Sequence, residues 1–278
     1  MTGNPVSFYI YWNMDINITK DINKMSVNIF SASAASAATA SAAATATASA
    51  AAAAPIVVSK DTLRRIISDI KELRKQPLSS HGIYYEHDET DILKGRALII
   101  GPADTPYADG FYLFKFTFPA NYPHAPPVVE YCTNDKKTRF NPNLYRCGKV
   151  CLSILNTWQG EKWSGCQTIS SVLLAICTVL NDAPLLNEPG LTKKHSDFEH
   201  YNDILRYKNI EVAIFEMLER ADIKTEFAMF QSIMHEHFQK NKEKIRARLD
   251  LAKDGELIIT GVYQMRIILE YQKLLARF

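Results

Sequence analysis

The sequence lacks both a long apolar segment and an excess of charge of either sign. Its 278 residues carry 32 Lys and Arg against 30 Asp and Glu, a formal net charge of +2. So small a charge creates no long-range field that attracts nucleic acid or an anionic membrane, and we expect neither as a partner. The apolar stretch at residues 6–12 follows no positive charge and is too short to cross a bilayer. The sequence therefore predicts no membrane segment.

Paired cysteines are also lacking. The five cysteines are odd in number, none belongs to a Cys-x-x-Cys pair, and all lie between residues 132 and 177. This pattern argues against a disulfide framework and favours a reducing compartment. A zinc site needs four ligands of suitable spacing, and no second pair accompanies Cys147 and Cys151 or His235 and His237. We expect no metal and no cofactor.

The N-terminal part has little that could form a core. Residues 31–54 are only alanine, serine and threonine, 16 of the 24 being alanine. Such a run favours helix but has no large apolar face to dock, so it frays. The absence of arginine from residues 1–58 is unlike a mitochondrial presequence. We predict a disordered tail over residues 1–58, the alternative being a segment that folds on a partner.

The patterns after residue 58 predict an α+β fold. Apolar residues recur at helical spacing after Ser59, a plausible N-cap, and Pro77 stops this helix. Four strand patterns bounded by turn residues follow at residues 82–87, 95–101, 111–118 and 128–133, which indicates an antiparallel meander. Helical spacing returns at residues 169–181 and 201–220. Beyond Asp222 we predict two more helices, one around residues 227–238 and one over residues 262–275.

Cys151 and Asn143 are the candidate reactive pair. Taken alone, Cys151 in a Val-Cys-Leu string reads as a small buried hydrophobic residue, and Asn143 as a turn cap. However, Asn143 follows Pro142, which stiffens the turn and fixes the amide near the segment that carries the thiol. An amide donor so placed is suited to stabilise an oxyanion. This chemistry requires an accessible sulfur within a few ångströms of the Asn143 amide.

Four motifs in order resemble those of the ubiquitin-conjugating enzymes. They are Phe-Pro-Ala-Asn-Tyr-Pro-His-Ala-Pro-Pro at 118–127, Asn-Pro-Asn at 141–143, Gly-Lys-Val-Cys-Leu-Ser-Ile-Leu at 148–155 and Trp-Ser at 163–164. The resemblance covers about residues 59–210. It implies the ubiquitin-conjugating fold, with an N-terminal helix, a four-stranded antiparallel meander and C-terminal helices, and a location in the cytoplasm and nucleus. Residues 211–278 then form a helical C-terminal extension.

The sequence departs from the family pattern at a few positions. Asn141 stands where most members have histidine, which is thought to brace the loop, and Ser153 where many have aspartate. Asparagine has both a donor and an acceptor, so bracing remains feasible. About four extra residues fall within 156–162, and the string Asn-Glu-Pro-Gly follows at 187–190. These features resemble one branch of the family, whose members also have an alanine-rich N-terminus.

The resemblance implies two acyl transfers through Cys151. An activating enzyme presents ubiquitin or a ubiquitin-like modifier as a thioester, Cys151 attacks it, and a substrate lysine or a ligase cysteine then removes the modifier. Asn143 would donate to the oxyanion in both steps. Glu188, or failing it Asn187, falls where the family has an acidic residue that orients the incoming lysine. A solvated loop carboxylate is the alternative for Glu188.

Partner surfaces are implied in the same way. Arg64, Arg65 and Lys71 on the first helix are expected to meet the ubiquitin-activating enzyme. The loops that meet ubiquitin ligases are expected to contain His124 and the string Ser164, Gly165 and Cys166. The family commonly has Ser-Pro-Ala at that string, so ligase recognition is expected to differ.

Two other functions remain open from the sequence. A cysteine protease needs a histidine base beside the thiol, and the candidates His124, His195 and His200 have no protease-like context. A non-catalytic variant of the same fold that binds ubiquitin or a ligase is the second alternative, although such variants characteristically lack the cysteine.

Overall fold

The described part of the chain, residues 58–278, forms an α+β fold in a computed structural model. This confirms the fold class predicted from the sequence. The tail predicted over residues 1–58 lies outside the described residues except for its last position.

The first helix, α1, spans Lys60–Lys75. Ser59 caps it, as predicted, by accepting a hydrogen bond from the Thr62 amide at 3.0 Å. Its buried face includes Asp69, whose carboxylate accepts hydrogen bonds from the Tyr122 hydroxyl and, at 2.8 Å, from Arg65. Because Tyr122 belongs to the proline-rich loop of residues 118–127, Asp69 joins α1 to that loop.

Four strands form one antiparallel sheet in the order β1-β2-β3-β4. They are β1 Ile83–His87, β2 Lys94–Ile100, β3 Phe111–Thr117 and β4 Val128–Tyr131. Leu98 pairs with Leu113, and the other pairs follow in that register. The predicted meander is therefore confirmed, with strand ends within one or two residues of the prediction.

One face of the sheet packs on buried aromatic side chains that surround the candidate site. Tyr112 and Phe114 lie on this face, and the Tyr112 ring packs edge-on against Tyr107 at 5.5 Å and against Phe140 at 6.4 Å. All four are fully buried. The segment after Phe140 therefore begins at a residue that is buried and packed against the aromatic side chains of the sheet.

Helices predominate after the sheet. They are α2 Ile169–Val179, α3 Phe198–Lys208, α4 Met217–Glu219, α5 Ala221–Glu226, α6 Gln231–Arg246 and α7 Tyr271–Leu275. A π-helical segment, Asn209–Glu216, joins α3 to α4. Short 3₁₀ turns occupy Ser79–His81, Ser153–Leu155, Pro184–Asn187, Ala228–Phe230 and Leu251–Lys253. Val262–Gln264 forms a turn in which Tyr263 is not helical. The two helices predicted at residues 169–181 and 201–220 are confirmed.

The other face of the sheet is covered by the C-terminal part of the chain. Arg96 and Lys115, paired on this face, both form ion pairs with Glu226 of α5, at 3.1 and 3.5 Å. The ring of Phe111 packs against His237 of α6 at 6.0 Å. The sheet is therefore a middle layer with side chains packed on both sides.

The helix predicted over residues 262–275 is wrong for most of its length. A β-hairpin stands there instead, with β5 Leu257–Thr260 paired to β6 Met265–Ile268, and only Tyr271–Leu275 is α-helical. Apolar residues in so short a stretch fit the periodicity of a helix as well as that of a strand. The hydrogen-bonded pairing of β6 with β5 makes this segment a strand. Ile258 and Met265 point inward and are buried.

The division of the chain at residue 210 stays a prediction. The helical run from Phe198 to Glu219 crosses that position without a break.

Candidate active site

Cys151 lies just after a short antiparallel bridge. Leu144 pairs with Val150, and the Cys151 amide donates to the Asn143 carbonyl at 2.8 Å. Gly148, with φ of 93°, sits in the turn between the two paired segments. A residue with a Cβ is strained in this conformation, so glycine suits the turn. Cys151 itself is buried, with 2% of its surface exposed, so the structure does not have the accessible sulfur expected from the sequence.

The Asn143 side chain contacts the residue that carries the thiol. Its Nδ2 donates to the Cys151 carbonyl oxygen at 2.7 Å, and its Oδ1 is buried without a hydrogen-bond partner among residues 58–278. Together with the bond from the Cys151 amide, this makes two hydrogen bonds between Asn143 and Cys151. The structure therefore brings the predicted pair together, with the amide directed at the carbonyl of Cys151.

Asn141 braces the turn that presents Asn143. Its Oδ1 accepts from the Asn143 amide at 2.9 Å, while its Nδ2 donates to the Tyr107 hydroxyl and to the Val179 carbonyl, both at 2.7 Å. Burial raises the pKa of Tyr107, so this hydroxyl stays protonated and donates to the Phe140 carbonyl at 2.7 Å. The bracing expected of a histidine is thus performed by both ends of one asparagine amide.

Asn187 and Glu188 have different surroundings. Asn187 donates to the Val179 carbonyl at 3.1 Å and to Asn141 at 3.3 Å, so its amide belongs to the bracing network. Glu188 is half-buried, and its carboxylate accepts a hydrogen bond from the Tyr263 hydroxyl. Of the two residues predicted to orient the incoming lysine, only Glu188 has a carboxylate, and Asn187 is engaged in the bracing network.

Tyr263 and Arg139 contact the candidate site but were not predicted from the sequence. The Arg139 guanidinium lies 3.4 Å from the Tyr145 ring centroid and 5.0 Å from that of Tyr263. It also donates to the carbonyls of Asn141, at 3.0 Å, and Pro142, at 2.7 Å. No local signal marked Tyr263, because its segment read as part of a helix.

The first predicted partner surface divides into exposed and engaged residues. Arg64 and Lys71 are exposed. Arg65 is bonded to Asp69 and also donates to the backbone carbonyls of Gly165 and Gln167. Its role at a partner surface stays a prediction, and within the chain it connects α1 to the loop that contains Gly165.

The second predicted surface is assembled from two loops. His124, Ser164, Gly165 and Cys166 are all exposed. The Trp163 indole donates to the Pro123 carbonyl at 2.7 Å and so links the loop before Ser164 to the loop of His124.

Within residues 58–278, no group of three or more His, Cys, Asp or Glu side chains is placed to hold a metal ion. No helix in this same range is both long enough and apolar enough to span a bilayer.

Comparison with known proteins identifies the family. The model of the ubiquitin-conjugating enzyme family matches residues 65–209. Ubiquitin-conjugating enzyme E2 Z of Xenopus tropicalis is 47% identical over 164 residues, covering 58% of this chain and 52% of that protein. Its Homo sapiens counterpart is 46% identical over 160 residues, covering 56% of this chain and 45% of that protein. The chain thus spans about half the length of the curated relatives it matches.

A solved structure of human ubiquitin-conjugating enzyme E2 G1 matches with a TM-score of 0.39 and 30% identity, covering 45% of this chain and 97% of that chain. The family match extends over more than half of the 278 residues and contains Asn143, Cys151 and Glu188. The chain belongs to the ubiquitin-conjugating enzyme family.

Proposed function

We propose that this chain carries ubiquitin, or a ubiquitin-like modifier, as a thioester on Cys151 and transfers it to a substrate lysine or a ligase cysteine. The observation that supports this most directly is the pair of hydrogen bonds, 2.7 and 2.8 Å long, that holds Asn143 against Cys151. A thiol and a fixed amide donor are the groups that acyl transfer through an oxyanion requires.

Loading begins with attack by the Cys151 thiolate on the thioester carbonyl that an activating enzyme presents. A C–S bond to Cys151 forms, the oxyanion collapses, and the C–S bond to the activating enzyme breaks with its cysteine leaving as the thiolate. In the second step an amine nitrogen or a ligase thiolate attacks the same carbonyl, and the Cys151 thiolate leaves. The Asn143 Nδ2 is the proposed donor to the oxyanion in both steps, and the second step is expected to depend on it more strongly.

Access to the sulfur is the physical requirement of this proposal. Because only 2% of the Cys151 surface is exposed, the surrounding segment has to open before the modifier's C-terminus can reach the thiol. The Asn143 amide also has to leave the Cys151 carbonyl, or share its protons, in order to donate to an oxyanion. Its Nδ2 has two protons and one hydrogen bond is described, so sharing is chemically feasible.

The proposed partners occupy neighbouring surfaces. The activating enzyme would meet the exposed Arg64 and Lys71, and the ligase would meet His124 and the loop of Gly165. Arg65 ties α1 to that loop through the Gly165 carbonyl, which supports the idea that the two partners exclude each other. The proposed location is the cytoplasm and nucleus, and ATP is consumed by the activating enzyme.

An adduct assay tests the proposal. The protein is incubated with ATP, ubiquitin or a ubiquitin-like modifier, and a panel of activating enzymes, then separated on a non-reducing gel. We expect a thiol-sensitive adduct, which Cys151→Ser converts into a reductant-resistant ester.

Cys147→Ser is the matched control, because Cys147 is exposed and only four residues away. It should retain the labile adduct. Failure to form an adduct with every modifier and activating enzyme would refute the acyl-carrier proposal and favour a non-catalytic binding protein.

A further inference from the structure

The C-terminal hairpin brings a tyrosine hydroxyl to the carboxylate proposed to handle the incoming lysine. Tyr263, between β5 and β6, donates to Oε2 of Glu188, 75 residues earlier in the chain. We propose that Tyr263 is a positioning residue that holds Glu188 in the orientation needed for transfer to lysine. This inference rests on the proposed function, since it assigns Tyr263 a part in the same reaction.

Several contacts fix Tyr263. The Arg146 guanidinium donates to its carbonyl at 2.6 Å, and the Asp197 carboxylate accepts from the Val262 amide at 2.8 Å. The Arg139 guanidinium, which also holds the Asn141-Pro142 turn, lies against its ring. Tyr263 is therefore attached to the same turn that presents Asn143.

The backbone at Tyr263 has a conformation that is unusual for a tyrosine. Tyr263 has φ of 61° and the next residue, Gln264, has φ of 50°. Bulky residues rarely adopt the left-handed region, whereas Gly or Asn would do so readily in a hairpin turn. Strain at such a position persists when surrounding contacts fix it and is a recognised indicator of function. At this position the phenol hydroxyl meets Glu188.

The two carboxylate oxygens of Glu188 can have different roles. Tyr263 occupies Oε2 of Glu188, and no hydrogen bond to Oε1 is described among residues 58–278. Oε1 can therefore accept a hydrogen bond from the lysine ammonium and take up its proton. The neutral amine then attacks the thioester carbonyl and the C–N bond forms. The nitrogen loses its second proton to solvent, the C–S bond breaks, and Cys151 leaves as the thiolate.

The decisive variant is Tyr263→Phe, which removes the hydroxyl and keeps the ring against Arg139. Cys151 is loaded by exchange with a small-molecule thioester of ubiquitin, so that recognition by an activating enzyme plays no part. Discharge is then followed with a lysine whose α-amine is blocked. We expect unchanged loading and discharge slowed about tenfold at pH 7, the size expected for one hydrogen bond to a charged group.

A pH profile separates positioning from a merely structural effect. The lysine amine has a pKa of about 10.4, so near pH 10 solvent deprotonates much of it without help from Glu188. The discharge defect of Tyr263→Phe should therefore shrink to about twofold near pH 10, because a lysine that is already deprotonated does not need Glu188 to take its proton. A defect of equal size at both pH values would overturn the proposal.

Two further variants complete the test. Tyr207→Phe removes a similar hydrogen bond, from the Tyr207 hydroxyl to Glu211 at 3.0 Å, and should discharge lysine normally. Glu188→Gln should slow discharge at least as much as Tyr263→Phe, and the double variant should be no slower than Glu188→Gln alone.

The failures are distinguishable. Absence of chemical loading at Cys151 would refute the acyl carrier and, with it, the role of Tyr263. Normal loading with wild-type discharge in Tyr263→Phe, or additive defects in the double variant, would overturn the role of Tyr263 alone.

Discussion

Asn143 contacts Cys151 through both its backbone and its side chain. The motif spacing predicted that these residues lie together, because a Pro-stiffened turn and an extended segment place them side by side. The spacing could not predict that Nδ2 would donate to the Cys151 carbonyl at 2.7 Å. The direction of a side-chain amide depends on the groups that close around it in the folded chain, and residue spacing alone does not give their positions.

Removal of this amide should affect the two transfer steps unequally. In Asn143→Ala we expect nearly normal loading, because the proposed activating enzyme would supply its own groups around the thioester in that step. Discharge to lysine should fall by ~10²–10³, the usual effect of losing one oxyanion donor. Single-turnover loading and discharge, measured separately, check this, and equal slowing of both steps would contradict it. Thermal melting of the variant controls for the lost bond to Cys151.

Arg65 shows where single-residue interpretation fails. A basic residue on the outer side of an amphipathic helix reads as a solvated or docking residue. Its side chain is instead only 21% exposed and bonds to Asp69 and two loop carbonyls. The loop lies 100 residues further along the chain, so helical periodicity contains no information about this contact.

At the scale of elements, the insertion after the active-site string folds back on the segment that carries Cys151. The Thr157 hydroxyl donates to the Val150 carbonyl at 2.9 Å and accepts from the Leu152 amide at 2.9 Å. These are the backbone groups on either side of Cys151. Gly160 approaches the same segment, since a Cβ placed there would lie 3.1 Å from the Ser153 Cβ.

Thr157→Val should loosen this segment, because it leaves two backbone groups without their partner while nearly preserving side-chain shape. We expect Cys151 to react about three- to tenfold faster with an alkylating reagent, corresponding to about 1 kcal/mol for the lost bonds. Peptide mass spectrometry distinguishes Cys151 from the exposed cysteines.

Thr178→Val is the control for Thr157→Val, because the Thr178 hydroxyl donates only within α2, to the Ala175 carbonyl at 2.8 Å. An unchanged rate at Cys151 in Thr157→Val would show that the insertion does not restrict the thiol.

Strand and helix patterns were predictable where turn residues bounded them. The four strands of the meander had such boundaries, and the structure has them where expected. The C-terminal hairpin was missed, although its Ile258, Ile259, Ile267 and Ile268 are β-branched and favour strands. Its boundary was hidden because the turn at Tyr263 and Gln264 uses residues that normally avoid positive φ.

On the scale of the whole molecule, an ion cluster joins the C-terminal part to the meander. Asp109, in the loop between β2 and β3, accepts from His237 at 2.9 Å and pairs with Arg248 at 3.0 Å and Lys244 at 3.7 Å. Burial alone would raise the pKa of Asp109, but the His237 bond and the two positive charges outweigh it and lower the pKa. The ionised carboxylate of Asp109 is therefore more stable in the folded chain than in the unfolded chain.

This lowered pKa predicts a loss of stability in acid. The contribution of Asp109 is fully present above its unfolded pKa of about 3.9 and is lost as the pH falls through the lower folded value. We expect Asp109→Asn to reduce the free energy of unfolding by about 1–3 kcal/mol near pH 7.

The same variant should depend less on pH below about 5 than the wild type. Urea unfolding between pH 3 and 7 measures both effects. Equal pH dependence in the two proteins would contradict the assignment. Asn tolerates the positive φ of Asp109, 61°, so the substitution adds little backbone strain.

The sequence predicted the two parts of the fold but not how they pack. Strand β3 has aromatic residues on both faces, which indicates that both faces are covered. Which later segment supplies the second cover could not be inferred, since amphipathic helices at residues 227–238 fit many surfaces. The ion pairs of Glu226 with Arg96 and Lys115 are the contacts that identify it.

The covering of the sheet by residues far downstream has a consequence during synthesis. Phe111 of β3 packs against His237, so well over a hundred further residues are added before its neighbour exists. At ~5–20 residues per second, a ribosome takes roughly 6–25 seconds over that interval. During that time we expect the hydrophobic surface formed by Leu98, Leu113 and Phe111 to remain exposed on the nascent chain. A chaperone that binds such surfaces during synthesis should therefore raise the yield of native protein.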